Sequence, residues 1–147
     1  MSELRTATDQ DLAAIRELLE NAGLPTSDLP SAKPRFTVVR DGGEVIAAGA
    51  LQAFGSSALL RSVVVAHERR GTGLGSMMVR ELERMARSAQ IERLILLTET
   101  AREFFARQGY CVIERSNAPQ EVQGSEEFRA LCPASATCMV KVLTKSD

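Results

Sequence analysis

A chain of 147 residues falls within the roughly 100–200 residues of one domain, and its 44% hydrophobic and 25% charged content excludes wholesale disorder and fibrous repeats. Eighteen basic against nineteen acidic residues leave a net charge of −1, so no global field draws the chain to nucleic acid or to an anionic membrane, and neither is an expected partner. Three cysteines without a CxxC spacing, with a single histidine to join them, argue against a disulfide framework or a structural zinc site, and no metal is expected.

The opening MSELRTATDQDL carries acidic residues where a secretory leader would carry a basic end, so the expected setting is soluble and cytoplasmic. Residues 3–7 read as extended. Residues 9–22 place Leu12, Ile15, Leu18 and Leu19 at helical spacing, with Asp9 as candidate N-cap and Gly23 just past the end. Pro25, Pro30 and Pro34 then impose a loop of the kind that often covers a site. Residues 36–40 and 45–54 are β-rich runs joined by Asp41-Gly42-Gly43-Glu44, a hairpin signal, and residues 58–65 continue an antiparallel meander.

After Val65 the pattern changes. Residues 73–89 recur at three and four, giving a helix packed on one side. Residues 94–97 are uniformly apolar and read as an interior strand. Residues 98–108 are predicted helical, 110–113 and 137–143 as late strands, with Cys111 buried, and the polar segment between them carries a helical turn near 126–131.

The most informative stretch runs from Leu60 through Arg61-Ser62-Val63-Val64-Val65 to Arg69-Arg70-Gly71-Thr72-Gly73-Leu74-Gly75-Ser76. A β-branched strand enters a turn with glycines at alternate positions, and a long helix starts at once. Glycines let backbone N–H groups approach a ligand, and the helix dipole makes that turn suited to a pyrophosphate. Arg69, Arg70 and the hydroxyls of Thr72 and Ser76 are candidate donors. A dinucleotide fingerprint would need GxGxxG, and a P-loop would need Gly-Lys-Ser/Thr; neither is present.

Arg70-Gly71-Thr72-Gly73-Leu74-Gly75 resembles the Arg/Gln-x-x-Gly-x-Gly/Ala motif of the GNAT family of N-acetyltransferases, and the order of elements resembles that family along nearly the whole chain. The resemblance implies an α/β GNAT fold over residues 1–147. Its mixed central sheet would have an antiparallel N-terminal meander and a splayed parallel pair at the centre, flanked by helices. It implies acetyl-CoA as co-substrate, held by Val63, Val64, Val65, Arg70, Gly71, Thr72, Gly73, Leu74, Gly75, Ser76, Phe104 and Arg107. Residues 98–110 are similar to a second family motif, with Thr98 in place of its Asn and Phe105 in place of the Tyr that commonly protonates the leaving thiolate.

The wording of residues 96–105 and of the late segment looks similar to amino-acid acetyltransferases, and most to the small enzymes found with arsenic-resistance genes. The implied reaction is direct acetyl transfer to the α-amine of a glutamate-like amino acid such as arsinothricin or phosphinothricin. Glutamate, a polyamine or a peptide N-terminus are alternative acceptors, and a non-catalytic acyl-CoA-binding module is the alternative to an enzyme. Glu99 is the candidate general base, though a Glu at that place also suits a helix cap. Arg61, expected on the same face as Val63 and Val65, is the candidate ligand for a substrate carboxylate. Lys33, Phe36 and Thr98 complete the expected substrate site. Late strands of this family can exchange between subunits, so a homodimer is one expected assembly.

Overall fold

Strand alternation and helical periodicity translate into a layered α/β architecture in the computed structural model, which describes residues 2–24, 26–32, 34–131 and 135–143. Strand β1 (Ser2–Thr6) leads through a 3-10 turn (Asp9–Asp11) into α1 (Leu12–Asn21). Asp9 is not the cap expected of it: Thr8 caps the 3-10 turn, and Asp11 is the N-cap of α1. The Thr8 backbone N–H donates to Asp11 Oδ2 at 2.8 Å, and Arg5 and Arg40 also reach that carboxylate. The Thr8 N–H, with help from the two arginines, holds the Asp11 carboxyl below the usual range against the opposing effect of burial.

A short helix α2 (Leu29–Ala32) precedes β2 (Arg35–Asp41), β3 (Glu44–Phe54) and β4 (Ser57–Val65), which form the expected meander, with β1 antiparallel to β2. Gly42 and Gly43, both at positive φ, close the β2–β3 hairpin. Helix α3 (Leu74–Ser88) crosses back and feeds β5 (Arg93–Thr98), which pairs parallel with β4. Helix α4 (Arg102–Arg107), β6 (Cys111–Val112), α5 (Gln120–Gln123), a π-helical turn (Glu127–Leu131) and β7 (Thr137–Val142) complete the described chain.

Among the described residues seven strands form one sheet in the order β1-β2-β3-β4-β5-β7-β6. Three expectations shift. Helix α4 is shorter than predicted because Thr98 still belongs to β5. The strand predicted at 110–113 contracts to two residues at the sheet edge. There Cys111 is exposed rather than buried, while Cys138 on β7 is the buried thiol.

The α3 side of the sheet packs Leu60, Met78, Leu82, Leu94, Leu96, Phe105 and Met139 into the largest cluster. Ile15, Leu19, Phe36, Val38 and Val64 form a second cluster with α1, and Leu59, Ile95, Val122, Phe128 and Cys138 a third. Helix α3 lies tight against β3. A Cβ on Gly49 would stand 2.8 Å from Leu82 Cδ1 and 2.9 Å from Met78 Cγ, so hydrogen is what that position admits. No described helix is long and apolar enough to cross a membrane.

Candidate acetyltransferase site

The site begins where the sheet opens. Strands β4 and β5 pair through only Ser57↔Arg93, Ala58↔Leu94 and Leu59↔Ile95, then diverge. Divergence coincides with a bulge in β4: Ala50 faces Arg61 while Ala48 faces Val64, so β4 carries one residue more than β3 across that interval. Ser62 absorbs it at φ 60°, a conformation uncommon outside glycine. The resulting cleft, about 540 Å³, is walled by residues 60–65 on one side and by Leu96, Leu97, Thr98, Ala101 and Phe104 on the other. That volume lies in the range of ordinary ligand pockets.

The bulge also reverses the alternation of side chains. Leu60, Val63 and Val65 pack on the α3 side, whereas Leu59 and Val64 belong to the opposite face. The expectation that Arg61 shares a face with Val63 and Val65 is therefore corrected. Arg61 precedes the bulge and falls with Leu59.

At one end of the cleft stands the glycine turn. Gly71 and Gly73 both have positive φ, and Gly73 occupies the N-cap of α3. The first turn of that 15-residue helix contains no acidic residue and receives no side-chain cap, so its N–H groups point from the dipole's positive end without competition. Gly71, Thr72 and Gly73 are exposed, and Arg70 lines the cleft with its Nε 3.4 Å from the Val65 carbonyl oxygen. These residues fit a pyrophosphate.

Other predicted donors are engaged within the protein. Arg69 pairs with Asp41 at 2.8 Å and pulls that carboxyl below its usual range, while the Thr72 hydroxyl donates to the Arg69 carbonyl. Ser76 Oγ accepts from Gln108 Nε2 at 2.9 Å, tying α3 to α4. Leu74 turns its side chain to the core and can offer only its backbone. Gly75 lies against Phe104, whose ring would be 3.3 Å from a Cβ at that position. Arg107 is exposed on α4 and does not line the cleft.

At the other end lies a buried charge cluster. Arg61 donates to both carboxylate oxygens of Asp28, at 2.6 and 2.7 Å, and to Gln52 Oε1 at 3.1 Å. The proline-rich loop thus supplies Asp28 to the site, and Arg61 meets this internal carboxylate. Glu127, from the π-helical turn, stands 3.8 Å from Arg61 Nε and lines the cleft. Burial pushes its carboxyl up to about 7, with Asp28 adding to the rise and Arg61 opposing it.

The remaining candidates separate. Thr98 lines the cleft, and its Oγ1 accepts from the Ala101 N–H at 3.0 Å, closing the β5–α4 turn. Glu99 is exposed at the mouth. Phe36 is a correction, because it is buried with Ile15, Leu19 and Val38 and does not line the cleft. Lys33 lies outside the described residues. Phe105 packs edge-on between Phe104 and Tyr110, and the Tyr110 hydroxyl donates to Glu83 at 3.0 Å. Burial raises the Tyr110 hydroxyl far above its ordinary value, so it is not a ready proton source. Asp28 and Glu127 escaped sequence reasoning; neither adjoins the glycine motif, and only long-range packing brings them to Arg61. Among the described residues no group of three His, Cys, Asp or Glu side chains could hold a metal ion.

Comparison with known proteins agrees with this geometry. An amino-acid acetyltransferase of Mycobacterium tuberculosis is 34% identical over 130 residues, covering 81% of this chain and 74% of that protein. Another, from Haemophilus ducreyi, is 27% identical over 137 residues, covering 87% of this chain and 31% of its relative. Among solved structures, a Mycobacterium tuberculosis protein in complex with CoA superposes with a TM-score of 0.81 at 26% identity, covering 97% of this chain and 99% of the other. N-acetylglutamate synthase from Neisseria gonorrhoeae, complexed with coenzyme A and N-acetyl-glutamate, gives 0.83 at 20% identity, covering 98% of this chain and 35% of that one. The present chain therefore spans only about a third of the Haemophilus and Neisseria proteins. Residues 5–110 match the Acetyltransferase (GNAT) family. With the splayed β4–β5 pair and the glycine turn opening α3, that match leaves one conclusion: the chain belongs to the GNAT family of acetyltransferases.

Proposed function

We propose that the protein transfers acetyl from acetyl-CoA to the α-amine of an amino acid, and that glutamate-like acceptors are its substrates. The observation that carries this reading is the single cleft joining the α3 glycine turn to the buried Arg61. The Mycobacterium relative named an amino-acid acetyltransferase and the CoA-bound structure of similar length support it. In this reading residues 70–76 hold the pyrophosphate, the backbone of Val63, Val64 and Val65 pairs with the pantetheine arm, and Phe104 packs beside it. The acceptor amine lies between the acetyl end and the Arg61 cluster. Its carboxylate approaches Arg61 and Thr98, and the toxic analogues arsinothricin and phosphinothricin are members of the same class.

A second acceptor class is favoured by one observation. Asp28 offsets the charge of Arg61, and Glu127 and Glu99 add acidic groups to the cleft, which suits a cationic acceptor such as a polyamine. Thiol release measured with acetyl-CoA against glutamate, glutamine, phosphinothricin, arsinothricin, spermidine and a dipeptide separates the readings. Turnover highest on glutamate or its analogues is expected. Turnover confined to spermidine moves the protein to the second class, and CoA binding without turnover on any amine rejects both.

A further inference from the structure

We propose that Glu127 is the catalytic base, taking a proton from the ammonium group of the acceptor in the cleft. The proposal rests on the acetyltransferase reading above and gives the proton a destination that the motif alone does not supply. Glu127 has nine-tenths of its side chain buried, yet it lines the cleft. Among the described residues no donor stands within hydrogen-bonding distance of its carboxylate, and the cation beside it, Arg61, presents Nε at 3.8 Å. The terminal nitrogens of Arg61 are engaged by Asp28 and Gln52, so Glu127 remains as a buried carboxylate that faces the cleft, while Glu99 is exposed at the mouth.

A buried carboxylate with one long ion pair and no hydrogen-bond donor from the described residues is costly unless it takes up a proton or a further cation. An incoming ammonium satisfies both. Position in a π-helical turn is consistent with function, since such turns occur frequently at functional sites. The charged groups around Glu127 are Arg61 from β4 and Asp28 from the loop before α2, with Glu99 and Arg70 farther along the same cleft. Arg115 faces the other side of the turn, over the Phe128 ring.

The step balances without further reagents. Glu127 accepts one proton from the ammonium and passes it to solvent through the cleft mouth. The freed amine forms the C–N bond at the thioester carbonyl as the C–S bond breaks. The nitrogen's surplus proton leaves with sulfur as the free thiol. A base raised to about 7 is matched to this task at neutral pH.

The test compares the intact wild-type protein with Glu127→Gln, Glu127→Asp and Glu99→Gln. Thiol release is followed across pH 5.5–9 on whichever amine of the panel the wild type acetylates, and CoA binding is measured by calorimetry. Glu127→Gln is expected to lose kcat by about 100-fold or more, to lose the rise in rate near pH 7, and to keep wild-type affinity for CoA. Glu127→Asp is expected to recover part of the rise. A rise that persists in Glu127→Gln, or that disappears only in Glu99→Gln, overturns the proposal while leaving the transferase reading intact. Absence of wild-type turnover on every amine overturns both. Carbon-13 titration of the carboxyl signal missing from Glu127→Gln gives a turnover-independent check, and titration in the ordinary carboxylate range contradicts the proposed role.

Discussion

Glu127 carries a cost that can be read thermodynamically, because its carboxyl is raised from an ordinary 4.5 to about 7 mainly by burial. Between those values the folded protein keeps a proton that the unfolded chain has released. Stability from this group is thus complete below pH 4.5 and is lost as pH rises towards 7. The full effect is on the order of 3 kcal/mol. Asp11 acts with the opposite sign and at lower pH, since its folded carboxyl is depressed and its contribution is lost on acidification. Urea unfolding of the wild type is therefore expected to show a midpoint that declines from pH 5 to pH 7. In Glu127→Gln that decline should be absent, and equal slopes in the two proteins would show that the carboxyl is not raised. Arg61 and Asp28 illustrate why the Glu127 charge is only partly compensated: both terminal nitrogens of the guanidinium are engaged by Asp28, so Arg61 meets Glu127 through Nε alone at 3.8 Å and opposes the rise without cancelling it.

At the level of elements, the positioning of α3 governs the phosphate turn, and Gly49 sets how closely that helix approaches β3. Gly49→Ala would thrust a methyl group into Leu82 and Met78, neither of which lies free at a surface. Overpacking of this kind costs about 1–3 kcal/mol. The expected result is a lower urea midpoint with an unchanged m-value and a weaker affinity for CoA, because α3 must lift as a unit. An unchanged midpoint would mean that the sheet and helix yield without strain. The helix itself was legible from its 3.6 period, and the hairpin from Asp-Gly-Gly, because both signals are local. The bulge at Ser62 was not legible: residues 61–65 read as a continuous β-branched strand, and an extra residue leaves no trace in composition. That single conformational choice decided which face Arg61 joins. Asp28 and Glu127 were hidden for the same physical reason, since their partner stands on another element, 33 residues from Asp28 in the case of Arg61.

The whole molecule must hold together a sheet that parts at its centre. Only three residue pairs join β4 to β5, so cohesion between the meander and the β5-β7-β6 side depends on what crosses the seam. Helix α3 does so through the largest core cluster, which unites Leu60 and Ile46 with Leu94, Leu96 and Met139. A polar bridge reinforces it. Lys141 on β7 donates to Glu83 of α3 at 3.0 Å and to the Gln108 carbonyl at 2.8 Å, while Tyr110 donates to the second oxygen of Glu83. Gln108 in turn donates to Ser76 in the first turn of α3, so the bridge reaches the phosphate turn. Replacing the ammonium by Lys141→Met would leave Glu83 buried with Tyr110 alone and is expected to cost about 2–4 kcal/mol. Most of that cost is the stranded carboxylate rather than the lost attraction. The double variant Glu83→Gln/Lys141→Met should then be more stable than Lys141→Met, with a non-additive coupling measurable in a double-mutant cycle of denaturant midpoints. Additive losses would mean that the bridge contributes no coupling across the seam and that apolar packing beneath α3 holds the two sides unaided.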